Sequence, residues 1–267
     1  MFTFYSPVEE IAGIKLNTRF VGIYFQSTSA FGVVHFSCNL ADVALGVQNV
    51  VVVVAVTVFQ LFEIVIIDSG TDCGCCPEIH RSNEIGVQNS IDPFYIEENE
   101  EKYLFWGSFR GIYYIELSED GLHIRPGAKP TQIAGTAYEA VYVHKKGKYY
   151  YLFASIGSCC QGEKSTYTTV VGRSESLFGP YMDKNGNSML DNHHEVVIHP
   201  NASFAGTGHN AEIMTDKKGD DWILYHAYIR DKAKQGRVVM LDRIHWKKGW
   251  PYVEGNMPSN EAQAPKF

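Results

Sequence analysis

A hairpin-like pattern occurs three times in this chain and limits the folds that it can adopt. Each copy starts with a carboxyl or imidazole side chain, passes through a turn, and reaches a strand rich in aromatic residues. The copies start at Asp92, Glu139 and His209, and the aromatic strand follows after eleven, eleven and thirteen positions. A repeat of this length predicts a propeller blade or a similar array. If each hairpin presents its first residue to a common axis, two carboxyl groups and an imidazole converge, which is a catalytic constellation.

From about Ser82 onward, short runs typical of strands alternate with turns, and almost no helical period is visible. The fold class predicted for this part is all-β. The predicted strands span 91–97, 102–108, 111–117, 139–144, 148–155, 167–174, 210–215, 221–227 and 237–246. Three modules of this kind take up most of the chain after Ser82, so a propeller with five blades would be incomplete, with about three clear blades.

The composition changes sharply near residue 80. The first 80 residues contain two basic residues, Lys15 and Arg19, whereas the remaining 187 contain twenty-one and all four tryptophans. We therefore predict two parts. Residues 1–81 form an atypical N-terminal segment, either non-native or a truncated blade region, and residues 82–267 form the β-propeller domain.

Residues 50–67 form an apolar stretch that is long enough to raise the question of a membrane helix. Its Val and Ile content favours a strand, and Glu63 would be costly inside a bilayer. A buried strand pair, a membrane span and a segment that does not fold natively remain open, and a membrane location is the least favoured on these grounds.

The charge limits the partners. A formal net charge of -7 and a pI near 5.8 argue against a nucleic-acid partner, because phosphate binding needs a basic surface. A neutral substrate fits better. The first ten residues are acidic where an export signal would be basic, so the localisation is unknown from these residues.

A series of ordered motifs after residue 80 resembles the glycoside hydrolase family 43 arabinanases. The resemblance covers roughly residues 80–255, about two thirds of the chain. The motifs are NSIDPF at 89–94, FWGSF at 105–109, YEA at 138–140, GSCCQG at 157–162, STY at 165–167, VGRS at 171–174, FGPY at 178–181, GHN at 208–210 and GWP at 249–251.

This resemblance implies a five-bladed β-propeller that hydrolyses arabinan or related pentose oligosaccharides with inversion at the anomeric carbon. Glu139 matches the general acid, which protonates the departing glycosidic oxygen. Asp92 matches the aspartate that orients this acid and acts as its pKa modulator. A carbohydrate substrate and a secreted or periplasmic location are expected from the family.

The resemblance also implies ligand-binding roles. His209 matches a histidine that helps to hold a metal ion, often calcium, together with water. Arg237 resembles an arginine that reaches substrate hydroxyls, although a surface salt bridge is almost as plausible. Trp106 and Phe109 could each line a sugar subsite or fill the core, and the core is favoured for Phe109. Cys159 and Cys160 form either a vicinal disulfide or two buried thiols.

The third acid of the family, the general base, has no recognisable motif here. The carboxyl groups upstream of Asp92 lack the expected setting. Asp42 comes nearest, yet it precedes Asp92 by only 50 residues, too few for the intervening blades. A catalytically inactive propeller remnant or a carbohydrate-binding module is therefore the alternative function. The complete set of upstream candidates is Glu9, Glu10, Asp42, Glu63, Asp68, Asp72, Glu78 and Glu84.

Overall fold

The computed structural model describes residues 85–261 and 264–267, together with the backbone of five short strands between residues 10 and 61. The chain divides into two compact units, residues 1–81 and 82–267, which are described separately below. Among the described residues, no helix has the length and apolar character needed to cross a bilayer.

The first unit contains two small antiparallel sheets among its described residues. The strands are β1 (Glu10–Ile11), β2 (Ile14–Lys15), β3 (Phe31–Ser37), β4 (Val51–Thr57) and β5 (Gln60–Leu61). Strand β1 pairs with β2, and β4 lies between β3 and β5. The run of β-branched residues in β4 favours an extended backbone, since branching at Cβ restricts χ1 in a helix. Within residues 50–67 the described part is therefore strand, and the rest of that stretch lies outside the described residues.

The second unit contains thirteen strands among its described residues. In chain order they are β6 (Phe94–Glu98), β7 (Glu101–Trp106), β8 (Ile112–Glu116), β9 (Thr131–Ala134), β10 (Glu139–Lys146), β11 (Tyr149–Ile156), β12 (Thr168–Ser174), β13 (Glu195–Ile198), β14 (Phe204–Gly208), β15 (Ile213–Thr215), β16 (Asp221–Ile229), β17 (Val238–Lys247) and β18 (Trp250–Tyr252).

These strands make three blade-like sheets. Strands β6 to β9 form a four-stranded antiparallel meander, and β10 to β13 form a second. In the third, β14 and β15 both pair with β16, which is followed by β17 and β18. The second and third sheets join through one parallel pair, Thr168 with Thr207. The prediction of an all-β propeller type with about three clear blades is confirmed.

The core lies between neighbouring sheets. One cluster joins the first and second sheets and includes Phe105, Tyr138 and Leu152, while another joins the second and third and includes Phe153 and Ile223. Full burial of a large apolar side chain stabilises a fold by about 1.5–3 kcal/mol. Neighbouring sheets of the second unit are thus joined through their buried apolar side chains.

All nine predicted strands are present in the structure, with ends that differ by up to three residues. In the second unit, four observed strands were not predicted: β9, β13, β14 and β18. Strands β9 and β13 have only four residues each. The sequence of β14, FAGTG, is rich in glycine, and β18 contains Pro251, which removes a backbone donor. Each of these features weakens the local strand signal.

Candidate active site

Asp92, Glu139 and His209 all lie at strand ends on the same side of their sheets. Asp92 precedes β6, Glu139 opens β10, and His209 follows β14. Left-handed backbone occurs at each place: φ is 58° at Asp92, 57° at Ala140 and 49° at His209. Such values are uncommon for residues other than glycine and concentrate at functional sites. The backbone therefore turns sharply at each of the three strand ends.

The carboxyl groups of Asp92 and Glu139 are neighbours with different anchors. The backbone N–H of Ala140 donates to Asp92 Oδ2 over 3.0 Å, and Ser108 Oγ donates to Glu139 Oε2 over 2.8 Å. Glu139 is only 8% exposed. A backbone anchor fixes Asp92 relative to the strand that carries Glu139.

The pKa of Asp92 is raised, chiefly by burial of its carboxyl group, and further by the negative charge of Glu139. His209 and the hydrogen bond from Ala140 act in the opposite direction and lower the pKa of Asp92. All three predicted residues are thus close enough to interact electrostatically. Two carboxyl groups that share a partly buried site resist carrying two negative charges together.

Ser155 and Tyr167 connect the carboxyl groups to His209. Ser155 pairs with Glu139 across β10 and β11, and its hydroxyl accepts a hydrogen bond of 2.8 Å from the backbone N–H of His209. Burial, followed by the neighbouring Glu139 carboxyl group, raises the pKa of Tyr167. The Tyr167 hydroxyl has no partner with full hydrogen-bond geometry among the described residues. Its ring lies against Gly208, where a Cβ atom would fall 2.3 Å from Tyr167 Cδ1, so only glycine fits there.

Arg237 lies next to this group through His226. Its Nη1 atom is 3.1 Å from His226 Nε2. The His226 ring stacks on Tyr167 with centroids 5.7 Å apart, and it is 6.2 Å from the His209 ring. Sequence reasoning identified Arg237 and His209, but it missed His226, Tyr167 and Ser155. The Tyr167 position was contained in the STY motif, whereas no local signal distinguishes His226.

The structure does not support the substrate-binding role predicted for Trp106. Trp106 is 1% exposed, stacks on Tyr113, and donates from Nε1 to the Ser90 hydroxyl. A side chain covered in this way cannot present a ring face to a sugar. Phe109 is the opposite case, because it was expected in the core and is 37% exposed. Its backbone N–H bonds to the Tyr138 carbonyl, so the Phe109 backbone lies beside the residue directly before Glu139.

Cys159 and Cys160 form a vicinal disulfide, which decides between the two alternatives that the sequence left open. They lie in the loop between β11 and β12, and Cys160 is exposed. The same loop leads to Tyr167, and its carbonyl at Glu163 accepts a hydrogen bond from Arg230. The loop thus contacts the segment that precedes Arg237.

The described residues offer few ligands for a metal ion near His209. No group of three or more His, Cys, Asp or Glu side chains in the described part of the chain could hold a metal. Calcium takes six to eight oxygen ligands. One imidazole does not meet this demand, so protein ligands from the described residues alone do not make a calcium site.

The general base is not identified among the described residues. Every candidate from the sequence lies upstream of residue 85, and the side chains there lie outside the described part of the chain. The Asp42 prediction is therefore untested, as are the predictions about the nature of residues 1–81.

The described residues thus form an all-β unit of the propeller type with two neighbouring carboxyl groups, Asp92 and Glu139, at strand ends. The sequence profile of the family "Glycosyl hydrolases family 43" matches residues 77–251. The chain belongs to glycosyl hydrolase family 43.

Curated relatives point in the same direction. The extracellular exo-α-(1→5)-L-arabinofuranosidase ArbA of Cellvibrio japonicus is 34% identical over 186 residues, which cover 62% of this chain and 52% of that protein. The extracellular endo-α-(1→5)-L-arabinanase 1 of Bacillus subtilis is 32% identical over 178 residues, which cover 64% and 53%. The chain spans about half the length of these curated relatives.

Solved structures show a similar fold. An α-L-arabinanase of Cellvibrio cellulosa complexed with arabinohexaose matches with a TM-score of 0.63 and 26% identity, covering 88% of this chain and 76% of that one. An exo-1,5-α-L-arabinanase from a bovine ruminal metagenomic library matches with a TM-score of 0.62 and 25% identity, covering 87% and 76%.

Proposed function

We propose that this chain hydrolyses glycosidic bonds in arabinan or related pentose oligosaccharides by an inverting acid/base mechanism, with Glu139 as general acid. The observation that carries the proposal is the pair of carboxyl groups at Asp92 and Glu139, each held by a different donor. The relatives named for arabinan support the substrate class.

In this mechanism Glu139 donates its proton to the glycosidic oxygen as the bond to the anomeric carbon breaks. Asp92 stays close by as the modulator. The Glu139 carboxyl group is one of the causes that raise the pKa of Asp92, after burial, so the two groups are close enough to interact. The Ser108 hydroxyl orients the Glu139 carboxyl group.

Water must attack the opposite face of the sugar, and a base must take its proton. In inverting glycosidases the base carboxylate lies about 6.5–9.5 Å from the acid. The general base is not identified among the described residues, and Asp42 stays a candidate from the sequence alone.

The substrate-binding part of the proposal rests on Arg237 and Phe109. The Arg237 guanidinium is exposed, and no carboxylate of the described residues pairs with it, so its donors are available to sugar hydroxyls. The exposed Phe109 ring can pack on the apolar face of a pentose.

A calcium ion at His209 is a further part of the proposal. Among the described residues only the imidazole is assigned to the ion, which would take most of its ligands from water. Calcium added to chelator-treated protein should then raise the melting temperature of the wild type but not that of His209→Ala. Equal shifts of the melting temperature in both proteins would show that calcium does not bind at His209.

We also propose that the protein acts outside the cytoplasm, because both curated relatives described above are extracellular by name. Fractionation of the source cells with an antibody against residues 85–261 tests this. Detection only in the cytoplasmic fraction would reject it.

The central experiment compares the wild type with Glu139→Gln on debranched arabinan, arabinotriose and 4-nitrophenyl α-L-arabinofuranoside. We expect Glu139→Gln to lose about 10²- to 10⁴-fold in kcat/KM on arabinotriose. The loss should be smaller on the aryl glycoside, because nitrophenolate leaves with less need of a proton. Equal activities of the two proteins on all three substrates would reject the assignment.

The second candidate is an inactive propeller that only binds carbohydrate. It is favoured because no general base is identified among the described residues. Azide distinguishes the two. If only the base is missing, azide can attack the anomeric carbon from the far face while Glu139 protonates the leaving group, giving the inverted arabinosyl azide. Turnover of arabinotriose with azide but not without it would support an intact acid side, because a sugar leaving group needs the proton. Binding of arabinotriose with no product in either condition would support the inactive propeller.

A further inference from the structure

His226 is a half-buried imidazole on β16 that the proposed acid/base chemistry does not use. Three other functional side chains surround it. Tyr167 stacks on one side with an interplanar angle of 21°, the His209 ring lies 6.2 Å away, and Arg237 Nη1 is 3.1 Å from its Nε2 atom. These contacts place His226 between Arg237 on one side and Tyr167 and His209 on the other.

The partners of His226 define its proton arrangement. A guanidinium group can only donate hydrogen bonds, so Nε2 must carry a lone pair, and we assign the ring proton to Nδ1. Nδ1 is buried and has no partner with full hydrogen-bond geometry among the described residues. In this arrangement Nε2 accepts from the Arg237 guanidinium, so the ring carries one proton and no charge.

Arg237 depends on this acceptor for its position. It follows Gly236, whose φ of 95° turns the chain out of the 230–235 segment into β17. No carboxylate of the described residues lies within ion-pair distance of Arg237, and His226 is its one hydrogen-bond partner among them. An exposed arginine without an acidic partner keeps its full charge and its remaining donors for a ligand. The neutral imidazole restricts the guanidinium without neutralising it.

We propose that His226 is a positioning residue that holds the Arg237 guanidinium close to Tyr167 and His209, so that Arg237 binds hydroxyl groups of the pentose unit. The inference rests on the proposed function for the identity of the sugar. Because Arg237 touches the sugar and His226 does not, loss of His226 should act through binding and leave the proton transfer by Glu139 unchanged.

The first test measures binding of arabinotriose by calorimetry in a Glu139→Gln background, where no turnover interferes. His226→Phe keeps a ring for Tyr167 but removes the acceptor, whereas His226→Gln keeps an acceptor oxygen. We expect His226→Phe and Arg237→Ala each to weaken binding about 10-fold, and the double variant to be no weaker than either. His226→Gln should stay within about 3-fold of the parent. Additive losses in the double variant, or normal binding by His226→Phe, would overturn the proposal.

The second test needs no ligand and separates this inference from the proposed function. Two-bond ¹H–¹⁵N spectra of the wild type at pH 7 should show a neutral His226 protonated on Nδ1, and its Nε2 shift should move in Arg237→Ala. A ring protonated on Nε2, or charged at pH 7, would overturn the contact whatever the substrate. Expected spectra with no binding of arabinotriose would instead reject the proposed function and the sugar-binding role that rests on it. A melting temperature within a few degrees of the wild type is required of each variant, and His226→Leu, which also removes the acceptor, replaces His226→Phe if that variant does not fold.

Discussion

The site contains two pairs of residues that are held in different ways, Asp92 with Glu139 and His226 with Arg237. The carboxyl pair, Asp92 and Glu139, is largely buried, and backbone geometry fixes it through left-handed residues and the Ala140 N–H. The second pair, His226 and Arg237, is held by side-chain contacts, and Arg237 is exposed. Proton transfer tolerates little displacement, whereas hydroxyl binding tolerates more. Changes at the carboxyl pair should therefore affect kcat, and changes at the second pair should affect KM.

The largest effect is expected from Asp92→Asn. The amide oxygen can still accept from Ala140, so the change removes the charge but keeps the shape. We expect kcat on arabinotriose to fall by about 10²-fold, the lower end of a general acid-base effect. A fall in affinity with unchanged kcat would remove the distinction between the pairs.

The same variant makes a stability prediction of opposite sign. Because the pKa of Asp92 is raised in the folded state, its protonated form is the one that favours folding, and that contribution is lost as the pH rises through the folded pKa. At pH 7 the ionised carboxyl group lowers the free energy of unfolding, so Asp92→Asn should melt at a higher temperature than the wild type. Below the ordinary aspartate pKa of about 3.9 the two proteins should converge. A lower melting temperature at pH 7 would show that the charge is stabilised there.

The same contrast explains which residues the sequence could reveal. Asp92 and Glu139 stand in short motifs next to turns, and a turn of backbone is a local event. His226 reaches Tyr167 across 59 positions, and no local pattern indicates that contact. Trp106 was misjudged because β7 is covered on both faces. Successive residues Phe105 and Trp106 are 0% and 1% exposed, so alternation along the strand does not separate core from surface.

A smaller effect is expected from Ser108→Ala. Its hydroxyl is the one that donates to Glu139 Oε2, at a buried position. Loss of a buried hydrogen bond to an acidic group costs about 1–2 kcal/mol, so kcat should fall about 10-fold while KM changes little. Ser118→Ala is the matched control, since that hydroxyl lies in an exposed turn of the same sheet. A rise in KM with unchanged kcat would show that Ser108 contributes to substrate binding and not to proton transfer by Glu139.

Phe109→Ala should affect the sugar more than the acid. The Phe109 ring is 37% exposed, and it would contribute about 1 kcal/mol of contact with a pentose, a factor of about 5 in KM. Phe178→Ala is a close control, because Phe178 is also 37% exposed but packs on Tyr103 and Tyr114 instead. If both variants raise KM equally, the effect is not specific to the site.

The smallest effect is expected from replacing both Cys159 and Cys160 by serine. A disulfide between adjacent residues closes the shortest loop, and stabilisation by loop closure grows with loop length, so about 1 kcal/mol or less should be lost.

The segment between β11 and β12 that carries the disulfide contacts Arg230 ahead of Arg237 and also leads to Tyr167 beside Glu139. We expect KM to rise less than 3-fold with kcat unchanged, because the Arg237 guanidinium is held only by a side-chain contact with His226. Treatment of the wild type with a phosphine reductant should reproduce the change, and the double variant should not respond further. A fall in kcat instead would show that this loop positions Asp92 and Glu139 as well as Arg237.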